Sequence, residues 1–193
     1  MNKAVYCFHL PDFSHVCVRI LICLALVCCP LSAYGATEKE DLVKAVVIYN
    51  FAKFTDWPEE SFEDPSAPIV FTSIGENMKK TLTQFEGRQI KNRSLALGHF
   101  EYTPEYYSHV IYISSREEKE VKKVLELVKN KPILTVSDIP GFIDIGGMIG
   151  LLKEEGRIRF EINFDATQKA GLKVSSQLLL LATKVLRDQG EGK

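Results

Sequence analysis

Between residues 69 and 136 short apolar runs of strand length alternate with segments whose apolar residues recur every three or four positions. That rhythm commits the chain to a largely parallel sheet with helices on its faces, because consecutive parallel strands need a crossover that a helix supplies. The strand-like runs are residues 69–74, 94–100, 110–114 and 133–136. Met78, Leu82 and Phe85 mark a short amphipathic helix among them, and Val121, Val124, Leu125 and Val128 mark a longer one. Ser115 and Glu118 stand three apart in the order of a capping box and place the start of that second helix.

The flanking segments complete the same domain. A first helix is predicted to begin at Thr37, with Glu40 closing a capping box, and to end at Trp57-Pro58, since a residue before proline is driven out of helical geometry. Val43, Val46, Val47, Phe51 and Phe54 form its apolar stripe. Ile48, Tyr49 and Ala52 widen that surface, which predicts a helix either deeply buried or shared with another chain. Residues 59–68 read as a surface loop. Further on, residues 147–152 and 157–164 flank Lys153-Glu154-Glu155-Gly156 and predict an antiparallel hairpin. In its second strand Ile158, Phe160, Ile162 and Phe164 point one way and Arg157, Arg159, Glu161 and Asn163 the other, one face core and one polar. Asn163 or Asp165 is predicted to cap a short helix that stops at Gly171. A final helix from Ser175 or Ser176 is predicted to bury Leu178, Leu181, Ala182 and Val185, with Lys184 and Arg187 near its C-terminus. The expected fold class is α/β: a single three-layer domain over residues 36–193, mainly parallel sheet flanked by helices, with a C-terminal antiparallel β-hairpin and a terminal helix.

The first 35 residues have the order of a removable secretory signal. Residues 20–29 are an unbroken apolar run, preceded by Arg19 and followed by Pro30-Leu31-Ser32-Ala33-Tyr34-Gly35-Ala36. The run is shorter than the roughly 18 to 20 residues a membrane-spanning helix needs, so no span is expected after processing. Small side chains at Ala33 and Gly35 place cleavage after Gly35. All five cysteines, Cys7, Cys17, Cys23, Cys28 and Cys29, fall within this segment, which leaves the processed chain no disulfide chemistry. Its removal takes away Lys3, Asp12 and Arg19 and moves the formal net charge from −1 to −2. Neither value points to a polyanion partner. The densest charged stretch, residues 116–129, mixes both signs on a helical pattern and reads as a solvated face rather than a nucleic-acid surface.

No motif nominates a catalyst, a metal site or a cofactor. His99 and His109 are not spaced as metal ligands, and the processed chain offers no cysteine to join them. Ser73, Ser114, Ser115, Ser175 and Ser176 lack a nucleophile-elbow context. Gly146-Gly147-Met148-Ile149-Gly150 follows no strand-to-helix pattern and has no Lys-Ser/Thr, so it reads as a tight backbone bend leading into the hairpin rather than a phosphate loop. Asp144 and Glu161 are acidic, but nothing in their spacing pairs them for acid–base work.

Val43-Lys44-Ala45-Val46-Val47-Ile48-Tyr49-Asn50-Phe51-Ala52-Lys53-Phe54 leading to Trp57-Pro58, then Gly146-Gly147-Met148-Ile149, then Arg157-Ile158-Arg159-Phe160-Glu161-Ile162-Asn163, together resemble the YfiR/HmsC-like periplasmic family. Ala170-Gly171-Leu172-Lys173-Val174-Ser175-Ser176 and Leu178-Leu179 extend the resemblance. It implies a periplasmic protein, a homodimer, that works by contact, binding the extracytoplasmic sensor domain of an inner-membrane diguanylate cyclase and lowering cyclic-di-GMP and biofilm formation. It carries no catalytic motif and no cofactor. The candidate contact surfaces are the outer part of the first helix at Ile48 and Ala52, the Phe142-Ile143 loop, and the polar hairpin face of Arg157, Arg159 and Glu161. A periplasmic carrier of small molecules is the competing class, since parallel sheets offer crevices at the carboxyl ends of their strands.

Overall fold

A computed structural model describes residues 31–114 and 118–187. The chain divides between Lys39 and Glu40; of the first part only residues 31–39 are described, as the opening of a helix, and the second part holds the whole domain. That helix, α1 (Leu31–Lys53), runs straight through Thr37, so Thr37 is internal rather than a cap. Glu40 is thereby released from capping and bonds lysines instead. At the other end α1 stops four residues before Trp57. Thr55 returns a hydroxyl hydrogen bond to the Phe51 carbonyl at 2.9 Å, and β1 (Thr55–Asp56) is drawn into an antiparallel pair with β9 (Lys173–Val174).

The buried face of α1 is rotated from the predicted stripe, which it shares at Phe51 and in part at Val47. Ala45, Ile48, Phe51 and Ala52 lie in the core, whereas Val43, Val46 and Phe54 are exposed. Both faces are apolar, so their period could not say which one packs. Two alanines on the inner face let the helix backbone come close to the sheet, and Phe51 then meets the Phe160 ring edge-on at 4.9 Å. Burying Phe51 and Ile48 contributes roughly 1.5–3 kcal/mol each.

The main sheet has eight strands in the order β10-β8-β7-β6-β5-β2-β4-β3. Its centre is parallel: β2 (Ile69–Ile74) lies between β4 (Arg93–Leu97) and β5 (Val110–Ile113), followed by β6 (Leu134–Ser137) and the start of β7 (Ile149–Glu154). β3 (Gln89–Ile90) closes one edge antiparallel to β4. The predicted strand at residues 94–100 therefore ends three residues early, where the Gly98 amide turns back to the Phe71 carbonyl at 2.8 Å. Alternation along β5 divides the layers: Val110 and Tyr112 face the core shared with α1 and with α2 (Glu76–Leu82), while Ile111 and Ile113 face Val121 and Val124 of α3 (Glu118–Leu127). This is the three-layer α/β arrangement. The capping box at Ser115 and Glu118 lies outside the described residues.

In the last third, β7 and β8 (Arg157–Asn163) form the antiparallel hairpin, with Glu155 and Gly156 both at positive φ in its two-residue turn. Asn163 caps α4 (Phe164–Lys169), its side chain accepting from the Ala166 amide at 2.9 Å. Ser175 caps α5 (Ser176–Leu181) in the same way, accepting from Leu178. The predicted terminal helix ends there. Residues 184–186 instead form β10 (Lys184–Leu186), paired parallel with β8, so Val185 is a strand residue and Leu181 is exposed. The outer backbone edge of β8 supplies the reason: the Thr183 amide and hydroxyl both donate to the Phe160 carbonyl, and β-branched Thr183 and Val185 suit an extended chain.

Gly147 is required by contact rather than by torsion, since a Cβ there would sit 2.2 Å from Phe142 Cε1. Gly156, at φ +74°, has open space around it. Gly147→Ala is therefore expected to cost about 2–3 kcal/mol through overpacking, and Gly156→Ala about 1 kcal/mol through backbone strain alone. Urea-unfolding midpoints of the two variants measure the difference; equal losses would mean that the Phe142 ring yields freely.

Candidate functional site

At the carboxyl ends of the central parallel strands, where an open α/β sheet has its ligand crevice, α1 lays down a buried ion-pair network. Lys44 is 8% exposed; its Nζ donates to Asp138 Oδ2 at 2.7 Å, just past the end of β6, and pairs with Glu40 Oε1 at 2.9 Å. Lys153 on β7 joins Glu40, and the buried Tyr112 hydroxyl donates to Asp138. Burial opposes the charge on Lys44, but the bonds to Asp138 and Glu40 outweigh it and hold its pKa above the usual lysine value. Glu40 is held below the ordinary carboxylate value by Lys153 and Lys44. Burial first, and Asp138 second, push the Tyr112 phenol up. Each charge in this network is met by its opposite.

The amino ends of the same strands are organised by His109, which is fully buried. Its Nδ1 accepts from the Val70 amide at 3.0 Å, which fixes the proton on Nε2, facing the Ser61 carbonyl at 3.1 Å. The Tyr107 hydroxyl also donates to Ser61, and Trp57 Nε1 donates to the His109 carbonyl at 3.2 Å. Phe62 stacks on the imidazole at 4.5 Å and carries the Arg93 guanidinium over its ring at 3.6 Å. Arg93 also donates to the Asp64 and Ala67 carbonyls. This cluster pins residues 59–68 to the sheet.

A cleft of about 320 Å³ lies between the end of α3, the residues before β7 and the start of α4, lined by Leu125, Val128, Lys129, Ile145, Met148 and Ala166 among others. It opens beside the amino ends of β6 and β7, opposite to the crevice expected of a carrier. Two polar side chains on its wall are already used: the Thr135 hydroxyl accepts from the Met148 amide, and Asn163 is spent on the Ile143 carbonyl and the cap of α4. Among the described residues no group of three His, Cys, Asp or Glu could hold a metal ion.

Of the proposed contact residues, Ile48, Ala52, Phe142 and Ile143 are core, with 0–2% exposure. Contrary to the expected contact role, Ile48 and Ala52 face the sheet, Phe142 packs against α3 and Gly147, and Ile143 packs beside Gly150. Arg157 and Arg159 are exposed and Glu161 is partly so, on the polar face of β8. The most exposed apolar side chains escaped the periodic reading. Leu180 is 85% and Leu181 67% exposed at the end of α5, just before the chain joins the β8 edge, and Leu42, Val43, Val46 and Phe54 line the outside of α1. A run of four leucines signals burial by composition, and only the break at Ala182 reveals that its last two face solvent.

Compared with known protein families, the chain matches the model described as YfiR/HmsC-like over residues 41–183. The matched span covers most of α1, every strand of the sheet but β10, and α5.

Lys44→Met is expected to lose about 3 kcal/mol by stranding Asp138 as a buried charge, while Lys44→Met with Asp138→Asn should lose less than the sum of the two single changes. A double-mutant cycle by chemical denaturation reads the coupling. Additive losses would show that the pair does not hold α1 to β6.

Proposed function

The chain belongs to the YfiR/HmsC-like family, and on that premise we propose that it is a periplasmic regulator that binds the extracytoplasmic sensor domain of an inner-membrane signalling protein, a diguanylate cyclase, and represses it. The observation that carries the contact mechanism is the exposed Leu180–Leu181 pair beside the β8–β10 edge. Two leucines held in water lose nothing in the free protein that a partner cannot restore by covering them. The polar face of Arg157, Arg159 and Glu161 on β8, the strand next to that edge, supplies the orienting charges.

Repression then needs only differential binding. A partner moved from 1:99 to 99:1 in favour of its inactive conformation requires a preference of about 5.5 kcal/mol, which covering a few large apolar side chains is able to supply. Export fits this reading: the family match starts at residue 41, after the predicted cleavage at Gly35, and among the described residues no helix is long and apolar enough to cross a membrane.

A homodimer belongs to the same reading. Leu42, Val43, Val46 and Phe54 recur along the outer face of α1 and suit a self-complementary helix contact. Val46→Glu is expected to shift the protein from dimer to monomer in sedimentation with its fold retained; an unchanged mass would remove α1 from the dimer contact.

For the regulatory surface, Leu180→Asp with Leu181→Asp is expected to weaken binding to the isolated extracytoplasmic domain of the cyclase by at least roughly 100-fold, from about 1.5 kcal/mol or more lost per leucine. Arg157→Glu with Arg159→Glu should slow association and reduce its salt dependence. Titration calorimetry and stopped-flow binding measure both. Wild-type affinity in the leucine variant would exclude this edge as the docking surface.

A further inference from the structure

The cleft between the end of α3 and the start of α4 has a chemistry that neither the sheet nor the proposed regulatory contact calls on. Its volume of about 320 Å³ falls at the small end of the range for small-molecule sites. Strand register explains its floor. Ile111 of β5 faces α3, and Thr135 of β6 is its partner across the ladder, so Thr135 lies on that side of the sheet. Ile162 belongs to the core under α1, which turns the next residue of β8, Asn163, to the α3 side, and Leu186 of β10 is paired with Asn163.

The walls are apolar. Leu125 and Val128 line the cleft from the end of α3, Met148 from the residues before β7 and Ala166 from α4. Ile145 is 48% exposed on the same lining, a large apolar side chain left in water beside an apolar wall. The charges on the lining cancel, Lys129 and Lys169 against Glu126 and Asp165. An ionic ligand would therefore give up its hydration here without meeting a net opposite charge.

The polar side chains of the floor are more than nine-tenths buried, Thr135 at 1% and Asn163 at 8% exposure, and each has a hydrogen to give. Thr135 Oγ1 accepts from the Met148 amide at 3.0 Å, and no acceptor among the described residues takes its own proton. Asn163 Nδ2 donates one hydrogen to the Ile143 carbonyl at 3.0 Å and carries a second. A buried hydrogen without an acceptor is tolerated less well than an oxygen with one lone pair unused, so what this floor lacks is an acceptor.

We propose that the cleft binds a small, uncharged, apolar molecule that carries a carbonyl oxygen, a ketone, ester or lactone. The apolar body lies against Leu125, Val128, Ile145 and Met148, and the oxygen accepts from the Thr135 hydroxyl. Area alone would hold any apolar chain; the donor and the cancelled charges select the head group.

Three eight-carbon probes separate these terms: octan-2-one, a neutral acceptor; octanoate, a charged acceptor; and octylamine, a charged donor. Titrated into the full domain and followed by amide and methyl resonances, octan-2-one is expected to give saturable shifts at Thr135, Met148, Ile145 and Asn163. The methyl group beside its carbonyl should show Overhauser contacts to Thr135. Its affinity should exceed that of octanoate and of octylamine by at least tenfold. Ala166→Phe, which fills the cleft from α4 and leaves the backbone amide that Asn163 caps, should weaken octan-2-one by at least tenfold with circular dichroism unchanged. The wild-type titrations stand whether or not that variant folds. Equal affinity for the three probes, tighter binding of either charged one, shifts that do not saturate or that lie away from the cleft, or undiminished binding by a folded Ala166→Phe, would overturn the proposal.

Discussion

Packing of one face of α1 across the parallel sheet is the constraint from which the rest of the domain follows. Ala45 and Ala52 bring the helix close, and Ile48 and Phe51 fill the space over the sheet, with Phe51 against Phe160 of β8. Lys44 of the helix lies at the carboxyl end of β6, and Trp57 in the chain after it reaches the amino end of β5. One end is fastened by Lys44 to Asp138 and the other by Trp57 to the His109 carbonyl. A buried charge without its partner would cost several kcal/mol, so these contacts fix the position of α1 as much as apolar area does.

That placement sets what the surface is free to do. At the carboxyl ends of the strands Lys44, Asp138 and Tyr112 are committed to one another. The amino ends are covered by residues 59–68, held through His109 and Arg93. What remains open is a set of apolar side chains on the outside, Leu180 and Leu181 at one sheet edge and the outer face of α1. These exposed apolar side chains are the surfaces on which the proposed regulation of a membrane-bound partner rests.

The sheet was legible in the sequence because its central strands are bounded by turn residues and separated by helical periods. β8 was legible for a different reason: strict alternation from Arg157 to Asn163 has one structural solution, and the Glu155-Gly156 turn matches it. α1 was legible as a helix but not in orientation. Both of its faces are apolar, and small alanines, which a hydrophobicity pattern undervalues, decide which face fits the sheet. The capping signals divided by context: Asn163 and Ser175 act locally as caps, whereas Thr37 and Glu40 were overridden by a longer helix and by Lys44 of the same helix together with Lys153 of β7. β10 was hidden because a strand of three residues is specified by the open edge of β8 rather than by its own sequence. The contact residues failed where they were taken from apolar excess, at Ile48, Ala52, Phe142 and Ile143, since apolar excess marks the core first.

The central claim is that the chain restrains a cyclase from outside the cytoplasm. Its most direct test is cellular cyclic-di-GMP in a strain lacking the gene, complemented either by the full chain or by a form without residues 1–35. The account predicts a rise on deletion that the full chain reverses and the unexported form does not. Unchanged cyclic-di-GMP across growth conditions, or equal rescue by both forms, would contradict it.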